Sequence, residues 1–504
     1  MSWDSYLPEA IKQGLDNILS HGDTDIFPVD HCYSIWKNSP QTAIDSVLLL
    51  HEKLKNVSQI SKIECIRSLV PSGHTGFRLG TKIDPIWNIY YLSLTILSAP
   101  FIEQKRQPIE SRRIHSYRWQ PIDSENRIFQ PTIGWRSFQQ TSKELGEKNN
   151  YVLICDIADF YRRLKPELVK NALINTNCPT ELVQRLSLII DSLDILNYGL
   201  PIGGPASRIL AEAALIELDN TLNSENFIFC RFVDDIKIFS KSDQIAHQNL
   251  FKVSEILNFY GLSLQKSKTR ILSCSEWLSE NSFQKVFTPT KGSVESFEDL
   301  RTLLMMPSMD PYSEMRAQND LRLEEFAQKP HALDLLKREF SKSRLHSLMA
   351  GHLLSALQFM PENEFEEALI WLLSKKKNMN LTPLMAKLLN IILINFSKIP
   401  APQSIQRVLE TLLFEVNYTF SIPLHTALNL RILQKCPGPV NQDTKIKLRN
   451  KYLSSHDCMI KSEIIALWGS WDFTDDLDYV NQYNLISNPF ERRVWDISSK
   501  LNAV

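Results

Sequence analysis

Arg231-Phe232-Val233-Asp234-Asp235-Ile236-Lys237-Ile238-Phe239 is the stretch on which the reading of this chain turns. Two adjacent carboxylates stand inside an apolar, β-branched run, with Phe229, Phe232 and Val233 before them and Ile236, Ile238 and Phe239 after. The pattern predicts strand, tight turn, strand, with the acids at the turn. Burying two like charges side by side is unfavourable unless a cation compensates them. Alone, the stretch fits an exposed polar turn equally well, so its meaning depends on what surrounds it.

Size and charge set the frame. A chain of 504 residues with 43% apolar residues is too long for one ordinary core and predicts two or three domains. Net charge is −1 and the isoelectric point is near 6.8, so any nucleic-acid site must be a local patch. The eight cysteines are scattered without metal-ligand spacing and read as reduced thiols of a cytoplasmic protein. The N-terminus lacks the pattern of a signal peptide. Residues 85–102 carry no charge, but Asn88, Ser93, Thr95 and Ser98 interrupt the run and Pro100 is expected to end it. That predicts a buried helix and no membrane span.

Taken in order, residues 1 to about 70 read as helical, with Ile11, Leu15, Ile18 and Leu19 at helical spacing. Pro71-Ser72-Gly73-His74-Thr75-Gly76 reads as a loop. From Glu103 to Arg118 the chain turns basic, with Lys105, Arg106, Arg112, Arg113 and Arg118, and Tyr117 and Trp119 interleave. This fits a surface facing phosphates or a solvated charged face. Tyr151-Val152-Leu153-Ile154-Cys155-Asp156 reads as a strand ending in an acid, with a helix beginning near Pro166. A helix is expected over Leu182 to Leu196. Tyr198 to Ser207 is a Gly/Pro loop opening a further helix, whose N-terminus suits phosphate or the edge of a base pair.

Strands ending at Asp156 and at the Asp234-Asp235 turn can lie side by side, so that three carboxylates meet. All-oxygen donors of that kind suit two Mg²⁺ ions, with Mn²⁺ as a substitute. Two such metals, about 3.5–4 Å apart, serve in-line phosphoryl transfer. Lys268, or Lys266, could protonate a leaving pyrophosphate.

The order of these segments carries a resemblance. Asp156-Ile157-Ala158-Asp159-Phe160-Tyr161, Gly199-Leu200-Pro201-Ile202-Gly203-Gly204-Pro205-Ala206-Ser207, Phe232-Val233-Asp234-Asp235 and Gly261 to Thr269 resemble four consecutive motifs of reverse transcriptases. Arg113 to Trp119, with Trp135 and Phe138, resembles the fingers of that family. The resemblance covers about residues 60–275. It implies metal ligation by Asp156, Asp234, Asp235 and the Ile157 carbonyl. It further implies a nucleotide pocket of Asp159, Phe160, Tyr161, Gly203 and Ser207, with Arg118 on the triphosphate. Tyr161 matches the aromatic that stacks under the sugar and favours dNTPs. The sequence departs from the family at Ile202, where glutamine is usual, at Phe232, where tyrosine is common, and after Leu272, where no thumb pattern follows.

Residues 276–315 read as a linker. Beyond them, Pro361 and Pro400, and Pro383 and Pro423, begin similar segments at offsets close to the period of about 40 residues of HEAT-like helix pairs. Lys375-Lys376-Lys377 reads as a solvated turn and Arg492-Arg493 fits either surface or binding roles. The expected fold is α+β: an N-terminal helical segment (1–70), right-hand-like fingers (71–150) and palm (151–275), the linker, and an all-α helical-repeat domain (316–504). This combination resembles the abortive-infection, phage-defence reverse transcriptases. It implies a homo-oligomer that polymerises dNTPs without a template from a protein hydroxyl, leaving single-stranded DNA covalently attached. An RNA-templated enzyme of retron or intron type and a non-catalytic scaffold are the alternatives.

Overall fold

The computed structural model describes residues 3–60, 62–72, 76–194, 198–281, 316–342, 345–374, 383–414, 422–486 and 488–501. Helices α1 (Leu7–His21), α2 (His31–Trp36) and α3 (Pro40–Leu54) open the chain. Ile11, Leu15 and Ile18 are buried on one face of α1, which packs on α4 (Pro85–Lys105). Asp84 caps α4 by accepting from the backbone N–H groups of Ile86 and Trp87, with Pro85 in the first turn. The hydroxyls of Ser93, Thr95 and Ser98 donate to carbonyls one turn back. That satisfies them inside an otherwise apolar helix. Pro100 does not end α4, which continues to Lys105. Among the described residues no helix is long and apolar enough to cross a membrane.

Two expectations fail between α3 and α4. The strand β1 (Cys65–Ser72) begins inside the stretch expected to be helical. It pairs antiparallel with β2 (Gly76–Ile83), from Cys65 opposite Ile83 to Ser72 opposite Gly76. Pro71, Ser72 and Gly76 therefore lie in a hairpin, and residues 73–75 fall outside the described residues.

The central sheet carries the acids. Its strands β3 (Tyr151–Asp156), β4 (Ile228–Phe232), β5 (Asp235–Ser240) and β6 (Arg270–Ser273) lie in the order β4-β5-β3-β6, all antiparallel. Around them run α5 (Trp135–Lys148), α6 (Phe160–Arg163), α7 (Pro166–Asn175), α8 (Thr180–Leu193), α9 (Pro205–Ala214), α10 (Ile216–Ser224), α11 (Asp243–Phe259) and α12 (Cys274–Asn281). Most of the linker expected over 276–315 lies outside the described residues, as do Lys375–Lys377 and residues 195–197.

The remaining helices are α13 (Arg316–Ala327), α14 (Ala332–Phe340), α15 (Ser347–Ala356), α16 (Glu362–Ser374), α17 (Pro383–Phe396), α18 (Gln403–Phe414), α19 (Pro423–Leu433), α20 (Thr444–Ser454), α21 (Cys458–Ser470), α22 (Thr474–Gln482) and α23 (Pro489–Leu501). Alternate helices stack: α15, α17, α19, α21 and α23 form one row, and α14, α16 and α18 another. The first row also touches the rest of the molecule. Helices α17 and α19 pack on β1, and Phe27, Ile66 and Val70 share a core with the stacked helices. Arg493 pairs with Asp84, the cap of α4.

Candidate active site

Strand β3 lies between β5 and β6 in the sheet, and Val152, Leu153 and Cys155 are fully buried. Its last residue, Asp156, stands opposite Asp235 in the ladder. Phe232 also pairs with Asp235, which leaves Val233 and Asp234 as a two-residue turn between β4 and β5. Val233 has a φ of 55°. A β-branched residue in that left-handed region is strained by roughly 1–2 kcal/mol, so neighbours must hold it there. Arg231 does so: its guanidinium donates to the Val233 carbonyl at 2.9 Å. The Asp234 carbonyl accepts from the Ile157 N–H at 3.1 Å, tying the turn to the end of β3.

Arg231 is fully buried and forks onto Asp219, at 2.8 and 2.6 Å, and onto Glu212 at 2.9 Å. Glu212 also takes Arg106 at 2.7 Å and the Ser116 hydroxyl at 2.6 Å. Two cations of the basic run before Trp119 are thus turned inward. Arg106 and Arg118 are buried counter-ions, while Arg112 is half exposed beside Glu144. Arg118, expected on a triphosphate, is 1% exposed. It donates to Glu103 at 2.6 Å and to the Gln107 carbonyl, and it does not line the cavity described below. Its counter-ions occupy it because a buried guanidinium without partners is costly.

The acids share a strong local field. Burial first, and the fields of Asp235 and Asp156 next, push Asp234 up to about 7. Burial and Asp156 push Asp235 up to about 6. Lys268 approaches from the turn before β6 and its Nζ pairs with Asp156 at 2.6 Å. Burial lowers the Lys268 amine, but pairing with Asp156 and the fields of Asp235 and Asp234 leave it above its ordinary value. Among the described residues no three side chains already converge as a finished metal centre. The donor set nevertheless fits hard divalent cations: oxygen donors, too little local positive charge, and Lys268 as a displaceable cation with 63% of its side chain exposed.

These groups open onto one cavity of about 880 Å³. Asp156, Ile157, Asp159, Phe160, Tyr161, Gly203, Asp234, Asp235 and Lys268 all line it. Ser207 does not; it is buried behind the cavity, beside Lys82 and Tyr91. Ile202, the departure from the expected pattern, is on the wall. Tyr161 is half-buried near Tyr117 and Arg208, and desolvation pushes its hydroxyl well above the usual range. Gly199, at φ 65°, is what lets the 198–203 loop approach. A Cβ there would lie 2.2 Å from the Tyr161 carbonyl oxygen. Sequence reasoning missed three cations on the walls: Arg78 of β2, Arg162 of α6 and Arg208 of α9. Arg208 directly follows Ser207 and could have been flagged by position. Arg78 carried no such signal, since no strand was expected over its segment.

Residues 105–298 match the family model described as reverse transcriptase (RNA-dependent DNA polymerase). That stretch is similar to a reverse transcriptase domain. All three acids, Gly203, Arg208 and Lys268 fall within the matched stretch, whereas Arg78 and the stacked helices lie outside it. Such a domain implies nucleotidyltransferase activity, use of divalent metal and binding of nucleotides and nucleic acid. Among solved structures, telomerase from Candida albicans with a TWJ fragment of telomeric RNA is 11% identical, with a TM-score of 0.32, over 74% of this chain and 70% of that chain. Apo telomerase from Candida tropicalis is 12% identical, with a TM-score of 0.32, over 86% and 74%. No curated protein matches the sequence.

Proposed function

We propose that this protein is a DNA polymerase that adds dNTPs without a template to a hydroxyl of the protein itself, in abortive-infection defence against phage. The observation that carries the polymerase part is the meeting of Asp156, Asp234, Asp235 and Lys268 on one nucleotide-sized cavity inside a stretch similar to a reverse transcriptase domain. Asp156, Asp234, Asp235 and the Ile157 carbonyl would hold Mg²⁺, which neutralises triphosphate charge and favours ionisation of the attacking hydroxyl. Arg78 and Arg208 supply donors for phosphate oxygens. The hydroxyl oxygen bonds to the α-phosphorus as the bond to the β-phosphate oxygen breaks, and Lys268 is placed to protonate the departing pyrophosphate. Tyr161, on the cavity wall, would stack under the sugar and favour a deoxyribose.

Ile202 on the wall supports the untemplated reading, because it offers no hydrogen bond where the wider family places an amide. The stacked helices support a HEAT-like repeat that steers single-stranded product and joins copies of the chain, and the eight free thiols support a cytoplasmic setting. The description of the matched domain as RNA-dependent favours the second reading, a templated enzyme using RNA. Purified protein incubated with Mg²⁺ and each labelled dNTP, with no added template, separates them. A shifted band resistant to denaturant and RNase, and removed by DNase or protease, supports the first reading. Product complementary to one co-purifying RNA sinks it.

A further inference from the structure

The loop between α1 and α2 supplies no reacting group to the chemistry above, yet it borders the cavity through Asp25. Asp25 donates its backbone N–H to the Gly203 carbonyl at 3.3 Å and accepts from Arg208 at 2.8 Å. Two glycines make room for this loop from opposite sides. A Cβ on Gly203, already at φ 104°, would lie 2.5 Å from the Thr24 hydroxyl and 2.6 Å from an Asp25 carboxylate oxygen. A Cβ on Gly80 of β2 would lie 2.7 Å from the Phe27 ring. Residues 24–27 are thus wedged between the β1–β2 hairpin and the 198–203 loop, in close contact at Gly80 and Gly203.

The wedge is clamped from behind. Lys82 donates to the Pro28 carbonyl at 2.7 Å. From the stacked helices, Arg431 donates to the Val29 carbonyl, and Glu463 pairs with both His31, at 2.9 Å, and Arg431. Phe27 is 5% exposed in the core that joins β1 to those helices. This is packed structure.

A nucleotide whose triphosphate faces the acids and Arg78 must turn its base toward the other walls. A templating base would have to stand next to it, and a second strand would have to enter between the β1–β2 hairpin and the Gly203 turn. We infer that residues 24–27 are a built-in wall filling that entrance, held by Arg431 and Glu463, so that the site accepts one nucleotide without admitting a strand opposite it. The inference rests on the untemplated reading and assigns its structural cause.

The test compares full-length wild type, Asp25→Gly and Arg431→Ala with Mg²⁺, all four dNTPs and a set of primer–templates differing in one templating base. Wild type is expected to add nucleotides with no regard to that base. The loosened variants are expected to favour the complementary dNTP by about tenfold, a modest discrimination for a site that reads one contact. If wild type already follows the template, the untemplated reading falls and the inference with it. If wild type ignores the template and active variants ignore it too, the reading stands and the wall is refuted. Hydrogen exchange on the unmutated chain decides the matter even if the variants do not fold. Added primer–template should leave the protection of residues 22–31 unchanged, and loss of protection would overturn the wall.

Discussion

Replacing Arg231 with methionine probes how the acid turn is held. Arg231 is the buried cation shared by Asp219 and Glu212, and it also restrains the strained Val233. Its loss does not affect the two carboxylates equally. Glu212 keeps Arg106 and the Ser116 hydroxyl, whereas Asp219 loses a bidentate partner. Burial already raises Asp219 against the pull of Arg231. Removing one partner of a buried pair destabilises by about 3–5 kcal/mol, which for a denaturant slope near 3 kcal/mol per molar moves a urea midpoint down by roughly 1 M or more. Urea unfolding followed by circular dichroism at pH 7.5 should show that drop for Arg231→Met. The double variant Arg231→Met/Asp219→Asn should recover at least about half of it, because the orphaned charge is gone. Nucleotide incorporation should stay down by about 10²-fold even in the double variant, since the donor to the Val233 carbonyl is still missing. A single-variant loss below about 1 kcal/mol, or wild-type activity in the double variant, would refute this reasoning.

Three further outcomes follow from the same geometry. Lys268→Ala should lower the melting temperature only modestly, since the lysine itself is largely exposed although buried Asp156 loses its cation, while steady-state incorporation falls about 10²-fold. Asp23, raised to about 6 chiefly by burial and also by Asp30, against Lys82 and Arg431, binds its proton more tightly folded than unfolded. Its charge therefore destabilises the fold above pH 6 and the penalty fades as pH falls below that, up to about 3 kcal/mol for a shift of roughly two units. Asp23→Asn should accordingly melt higher than wild type at pH 7.5, with the gain shrinking by pH 5 in thermal scans. Gly199→Ala should destabilise by at least about 2 kcal/mol in the same scans, because the new methyl meets backbone and the φ is left-handed.

What the sequence made legible was local. The 228–240 hairpin has its β-branched run on both sides of the acids, and α7, α17 and α19 begin at prolines in their first turn. What it hid was set by distant partners. Nothing near Arg118 indicates that Glu103 and Gln107 will occupy it, and Arg106 and Arg231 meet Glu212 and Asp219 only when α9 and α10 fold against β4. The β1–β2 hairpin was missed because residues up to about 70 read as helical and Pro71, Gly73 and Gly76 read as loop residues. In the fold, Gly80 serves to admit Phe27. Of the three wall arginines, Arg78 became visible only with that hairpin and the cavity in place.

The most direct measurement is incorporation of labelled dNTP by the full-length protein in Mg²⁺, in Mg²⁺ with excess chelator, and by Asp234→Asn and Asp235→Asn in Mg²⁺. The carboxylate cluster predicts incorporation in the first case alone, with each variant down by at least about 10³-fold while still folded by circular dichroism. Incorporation that survives both substitutions, or that is indifferent to the chelator, would contradict the assignment of Asp156, Asp234 and Asp235 as the centre of a nucleotidyl-transfer site.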